Sequence, residues 1–233
     1  MKRIAISLAG AMVLAATPAL AADSQTYDFS GFTGVKVSAG YDAEITVGGD
    51  YSVRAEARDG GDLSKMEIGI KGDTLRITRK REKGWGWNNK GPRTTVYITM
   101  PDLRDLDVSS GADASASGVK TDNFSVEVSS GGGADVTGID ANTVSVDVSS
   151  GADADLSGTC DRISADSSSG ASADAKDLVC RTGSADGSSG SSVSINVSES
   201  VTADVSSGAS VRVYGNPEQR NVDKSSGGSV RFK

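Results

Sequence analysis

The sequence predicts an all-β fold, a right-handed single-stranded parallel β-helix of about 19–20 residues per rung preceded by an N-terminal strand and hairpin region, and three observations carry that reading. The tripeptide Ser-Ser-Gly ends at Gly111, Gly131, Gly151, Gly170, Gly190, Gly208 and Gly227, at intervals of 18 to 20 residues. Apolar and polar residues alternate around each copy. Cys160 and Cys180 fall at one station of adjacent copies, ten residues before Gly170 and Gly190.

The period sets the architecture. Repeats this short cannot bury a core alone, so they stack and share one. Seven, five and three residues before the glycine stand Phe124, Val126 and Val128, or Val144, Val146 and Val148, or Val201, Ala203 and Val205. One, three and five residues after it stand Ala152, Ala154 and Leu156, or Ala209, Val211 and Val213. These small side chains face inward and make the coil narrow. At ~3.3 Å per residue along a strand and ~4.8 Å between strands, one repeat fits a circuit of two or three short strands with tight corners. The glycine takes positive φ at one such corner, and stacked serines fill it and can hydrogen-bond between rungs. A leucine-rich repeat has a similar period, but its leucine pattern is missing. Right-handedness follows from the crossover preference of parallel strands.

Before the regular repeats the chain is less uniform. Residues 1–21 read as a signal peptide: Lys2 and Arg3, an apolar run from Ile4 through Leu14, and cleavage after Ala21. No other stretch approaches the ~20 apolar residues of a membrane span. Residues 22–233 then form one domain, with N-terminal strands over 22–101 and the seven repeats over 102–233. The segment Val37-Ser38-Ala39-Gly40-Tyr41-Asp42-Ala43 is a degenerate copy of Val108-Ser109-Ser110-Gly111-Ala112-Asp113-Ala114, so the coil begins there. Met66, Ile68 and Ile70, the turn Lys71-Gly72-Asp73, then Leu75 and Ile77 predict a hairpin. Val96, Ile98 and Met100 mark one further strand, closed by Pro101.

Composition narrows the function. Without Lys2 and Arg3 there are 22 basic residues against 31 acidic ones, a net charge of −9. That disfavours nucleic acid and anionic membranes as bulk partners. Histidine is absent, which removes the commonest general base and the commonest zinc ligand.

Three constellations stand out. Cys160 and Cys180 stack ~4.8 Å apart, inside the Cα range of a disulfide, and in an exported chain they are expected to be bridged. Four residues before each glycine stands an acid: Asp107, Glu127, Asp147, Asp166, Asp186, Asp204 and Asp223. Stacking makes them a row on the outer wall, where neighbours at that spacing repel by ~0.9 kcal/mol in water. Calcium suits such a row of hard oxygen ligands; otherwise the carboxylates splay into screened solvent and keep the coil soluble. No other cofactor is implied. The third constellation, residues 79–93, reads as a basic, aromatic hairpin tip with Lys83, Lys90, Arg93 and both tryptophans, Trp85 and Trp87. It either binds sugars and anionic groups or caps the first rung.

Phe32-Thr33-Gly34-Val35, the run Thr95-Val96-Tyr97-Ile98-Thr99-Met100-Pro101-Asp102-Leu103 and the Val-Ser-Ser-Gly-Ala-Asp series together resemble the autotransporter adhesin head GIN domain family of exported bacterial proteins. The similarity covers about residues 28 to 232. It implies a parallel β-helix in an envelope or surface setting, and no activity. The function expected is therefore a non-catalytic structural or adhesive module, periplasmic or at the cell surface, binding an envelope glycan or a protein. The alternatives are a polysaccharide lyase or hydrolase working through paired carboxylates such as Asp147 and Asp166, and a solenoid that associates with itself.

Overall fold

The computed structural model describes residues 23–58, 61–80 and 94–233. Apart from a single 3-10 turn at Leu63–Lys65, every regular element in them is a β-strand. The residues expected to form the signal peptide lie outside the described residues.

The corner explains the repeat. At each Ser-Ser-Gly the second serine and the glycine both take positive φ, 57° at Ser150 and 66° at Gly151, for example. The first serine's carbonyl accepts from the N–H three residues on, as in Ala112 to Ser109 (3.3 Å) and Ala171 to Ser168 (3.2 Å). Two consecutive left-handed residues closed by that bond have the character of a type I′ turn, which reverses the chain tightly. The corners then stack through the backbone. Gly131 N–H donates to Ser150 C=O (3.2 Å), and Gly151 N–H to Ser169 C=O (3.1 Å). Corner hydroxyls are not what links the rungs, contrary to the sequence expectation: the second serines are exposed and their carbonyls carry the ladder.

Between corners the strands β10 (Lys120–Ser129), β11 (Gly133–Val148), β12 (Asp153–Ser167), β13 (Ser172–Gly187) and β14 (Ser192–Val205) stack in parallel. Val126, Val146, Ala165, Ala185 and Ala203 form one inward column. All five are buried. Pairing between β11 and β12 breaks at residues 137–138 and at 142, so a rung has three straight stretches. Cys160 pairs with Cys180 in register, and the two are disulfide-bonded with Cα atoms 4.5 Å apart.

The N-terminal end is threaded out of order. β2 (Gly34–Ser38) and β3 (Asp42–Val47) make a rung whose corner, Ala39 and Gly40, has φ of 65° and 75°. Val37 pairs with Val108 and Asp42 with Asp113, so this segment is the degenerate repeat read from the sequence. The rung rests on β8 (Asp105–Ser109) and β9 (Asp113–Ser117). On its other side lie β6 (Thr74–Arg79) and β7 (Thr94–Met100), which come later in the chain. Antiparallel strands finish this end: β4 (Ser52–Ala57) on β7, β1 (Ser24–Tyr27) on β4, and β5 (Met66–Lys71) on β6. The β5–β6 pair is the hairpin expected around Gly72.

Residues 81–93, most of the segment read as a hairpin tip, lie outside the described residues. β6 and β7 lie on different walls of one rung and do not pair with each other. β6 and β7 are therefore not the two arms of one hairpin. In the next rung Val37 and Asp42, the partners of Ile77 and Thr95, are joined by the four residues 38–41.

The C-terminal end is closed by charge. β15 (Ser210–Tyr214) and β17 (Ser229–Phe232) stack on one wall, and β16 (Gln219–Lys224) ends the other. Arg220 and Lys224 stand opposite the inward Val201 and Val205. The Arg220 guanidinium lies 4.1 Å from the centre of the Phe232 ring, and its Nε donates to the Pro217 carbonyl (2.9 Å). Inward cations on a last strand blunt an edge that would otherwise template further pairing.

Candidate functional site

The acid row is continuous. Asp107 pairs in register with Glu127, and the pairing runs on through Asp147, Asp166, Asp186 and Asp204 to Asp223. Its N-terminal end is neutralised, because Lys36 stands opposite Asp107 and forms an ion pair with it, and Arg76 stands opposite Lys36. From Glu127 to Asp223 no described cation pairs with the row. Hydroxyls flank it on both sides: Ser145, Ser164 and Ser184 along one edge, Ser149, Ser168 and Ser188 along the other.

Stacking like charges has a titration consequence at the middle of the row. Burial pushes the Asp166 carboxyl up to about 6, helped by the charge of Asp186, a hydrogen bond with Asp186 and the charge of Asp147. The pair holds a proton more readily than a lone carboxyl does. These side chains line a shallow groove of about 340 Å³ with Asp204 and neighbouring serines. The acids stand in single file. Among the described residues no three His, Cys, Asp or Glu side chains converge to hold a metal ion.

A second acidic wall escaped the sequence reading. Asp135, Asp155 and Asp174 form another in-register column, and the Asp155 carboxyl is raised by burial first and by Asp174 next. Here cations answer the acids. Lys176 reaches Asp174 (3.0 Å) and Asp177 (3.2 Å), and Arg181 sits between Asp161 (3.6 Å) and Glu199 (3.8 Å). The same ruler, applied four residues after each glycine, finds this column.

Where the cations end the acid row, Lys36, Lys71, Arg76, Asp105 and Asp107 line a groove of about 560 Å³ beside the first rungs. Trp85, Trp87, Lys83, Lys90 and Arg93 lie outside the described residues.

Fold and surface define the class first: a parallel β-solenoid with a narrow aliphatic core and charged outer walls. The chain belongs to the family described as "Putative auto-transporter adhesin, head GIN domain", whose family model matches residues 31–217. Solved structures share the fold. A protein described as a putative adhesin from Bacteroides fragilis is 19% identical, with a TM-score of 0.82 over 93% of this chain and 99% of that one. One described as a putative lipid binding protein from Parabacteroides distasonis is 17% identical, with a TM-score of 0.67 over 91% of this chain and 96% of that one. A second Parabacteroides distasonis protein, described as a putative adhesin, is 15% identical, with a TM-score of 0.68 over 91% and 96%. No curated protein matches the chain. No described helix is long and apolar enough to cross a membrane.

Proposed function

We propose that the protein is an exported, non-catalytic binding module of the bacterial envelope, and that its contact site is the basic segment 79–93 carrying Trp85 and Trp87. The observation that supports this is the composition of residues 79–93, basic and holding both tryptophans. The segment joins β6 to β7 at the N-terminal end of the coil and carries Arg79, Lys80, Arg81, Lys83, Lys90 and Arg93 against the single acid Glu82. Tryptophan faces stack on sugar rings, and Lys and Arg pair with phosphate or carboxylate, so an anionic envelope glycan is the ligand class this chemistry suits. Membership in an adhesin-named family and a fold shared with a lipid-binding-named relative agree with a surface role. The acid row serves as the solubilising wall, with calcium as its exchangeable counter-ion.

The test is a binding screen against lipopolysaccharide and cell-wall polymers, with and without calcium, on the parent chain and on Trp85→Ala/Trp87→Ala. Lost binding at unchanged melting temperature supports the site. A lowered melting temperature with binding retained makes the tryptophans a cap and overturns it.

A polysaccharide-cleaving enzyme is the second reading, and the raised Asp166 carboxyl beside Asp186 is what favours it. Two carboxyls with different proton affinities are the equipment of glycoside hydrolysis. Turnover of a uronic-acid polymer that disappears in Asp166→Asn would replace the binding reading with this one.

A further inference from the structure

The two ends of the coil differ in a way that singles out β5. At the C-terminal end Arg220 and Lys224 occupy the stations of Val201 and Val205, and Arg220 covers the Phe232 ring. At the other end β5 pairs, among the described residues, with β6 alone, which leaves one of its edges open. Lys71 and Thr74 flank the two-residue turn Gly72-Asp73, and the pair flanking such a turn exchanges its backbone hydrogen bonds. Alternation then points the N–H and C=O groups of Glu67, Gly69 and Lys71 at β6, and those of Ile68 and Ile70 at the open edge. Ile70 is 40% exposed, one of two large apolar side chains so exposed among the described residues. A groove of about 760 Å³ lies over the face of the β5–β6 hairpin, lined by Glu67, Gly69, Lys71, Arg76 and Thr78.

The local sequence is self-complementary about Gly69. Ile68 mirrors Ile70, Glu67 mirrors Lys71, and Lys65 mirrors Asp73. Two copies of β5 laid antiparallel across a twofold axis at Gly69 set Glu67 opposite Lys71 twice on the outer face. On the inner face Ile68 meets the second copy's Ile70 twice, continuing the layer that Ile77 and Leu75 begin. The register also satisfies the backbone, because Ile68 and Ile70 are the residues with free N–H and C=O groups and they face each other.

We propose that this protein forms a twofold dimer by pairing β5 with β5 of a second copy, centred on Gly69. The occupant of the open edge is the chain itself, chosen by the charge and apolar palindrome. One strand pair buries less than a standard-size interface, so the dimer forms reversibly with concentration. The geometry makes Gly69 the point of closest approach. Opposed residues of a non-hydrogen-bonded pair have Cα atoms about 4.5 Å apart, which a disulfide can span. A Cβ added at Gly69 meets nothing within 4 Å, and both native cysteines are already paired.

Sedimentation of the full chain over a concentration series tests the dimer, and charge reversal tests its register. Glu67→Lys and Lys71→Glu each turn two attractive pairs into repulsive ones and should weaken dimerisation about tenfold or more. The double variant Glu67→Lys/Lys71→Glu should restore it. Under mild oxidation Gly69→Cys should give a covalent dimer. Glu67→Cys should not, because its twin lies roughly 14 Å away in this register. A parent chain that stays monomeric throughout, with Gly69→Cys also monomeric, overturns the proposal, as does a double variant that fails to recover what the single reversals lose. Occupation of the edge by an unrelated extended peptide would show as the first of these results.

Discussion

Asp166 and Asp186 occupy one station of adjacent rungs and share a hydrogen bond that works only while one of them keeps its proton. The folded chain therefore holds that proton more tightly than the unfolded chain, whose aspartates titrate near pH 4. Such a group contributes its full stability below the unfolded pKa and loses it as pH rises through the folded value of about 6. Asp166→Asn keeps the shape and the donor without the charge. Relative to the parent it should gain about 1 kcal/mol at pH 7.5, an amount already discounted for solvent screening, and gain nothing at pH 4. Urea unfolding at the two pH values measures the difference. An equal effect at both would remove the shared proton from the account.

The disulfide closes a loop with a sequence separation of 20 residues. Cross-linking a loop of that length restricts the unfolded chain by about 3 kcal/mol in the chain-entropy account. Cys160→Ala/Cys180→Ala should lower stability by that order while leaving the far-ultraviolet circular dichroism unchanged, since parallel pairing on both sides holds the two rungs independently.

Ser150 is exposed, yet it should be among the surface positions most sensitive to substitution. Its φ of 57° puts a side chain where β-branched residues crowd the backbone. Ser150→Val should cost about 1–2 kcal/mol and Ser150→Asn nothing measurable, because asparagine tolerates the left-handed region. Thermal unfolding of the two variants decides it; a harmless valine would mean the corner relaxes out of the turn described above.

This corner also shows which parts of the fold were legible. A ruler counted from Gly151 predicts the inward column, the acid row and the Cys160–Cys180 bridge, because in a solenoid every station repeats and register follows from sequence distance alone. It does not predict that Ser150 shares the glycine's conformation, since serine has no strong left-handed preference to read. Nor does it predict that β6 and β7 lie beyond β2 and β3. That order reverses the chain's own, and the alternation of Leu75 and Ile77 is the same whichever neighbour they meet. The basic segment was visible as composition, but the placement of the strands that flank it depends on the partners of Ile77 and Thr95, which lie far outside any local window.

Arg220 and Lys224 should be worth more as barriers than as stabilisers. Both stand in register with the inward Val201 and Val205 of the preceding rung, and Arg220 covers the Phe232 ring. Replacing both by valine completes an apolar column on an open strand edge, the arrangement that recruits further strands. Arg220→Val/Lys224→Val should fold with little loss of stability but assemble beyond the state of the parent chain, seen as light scattering that rises with concentration. The same substitutions made on the Glu67→Lys chain keep pairing through β5 out of the measurement. Scattering that stays at the parent level there would mean that the backbone geometry of β16, and not its inward cations, keeps this end from growing.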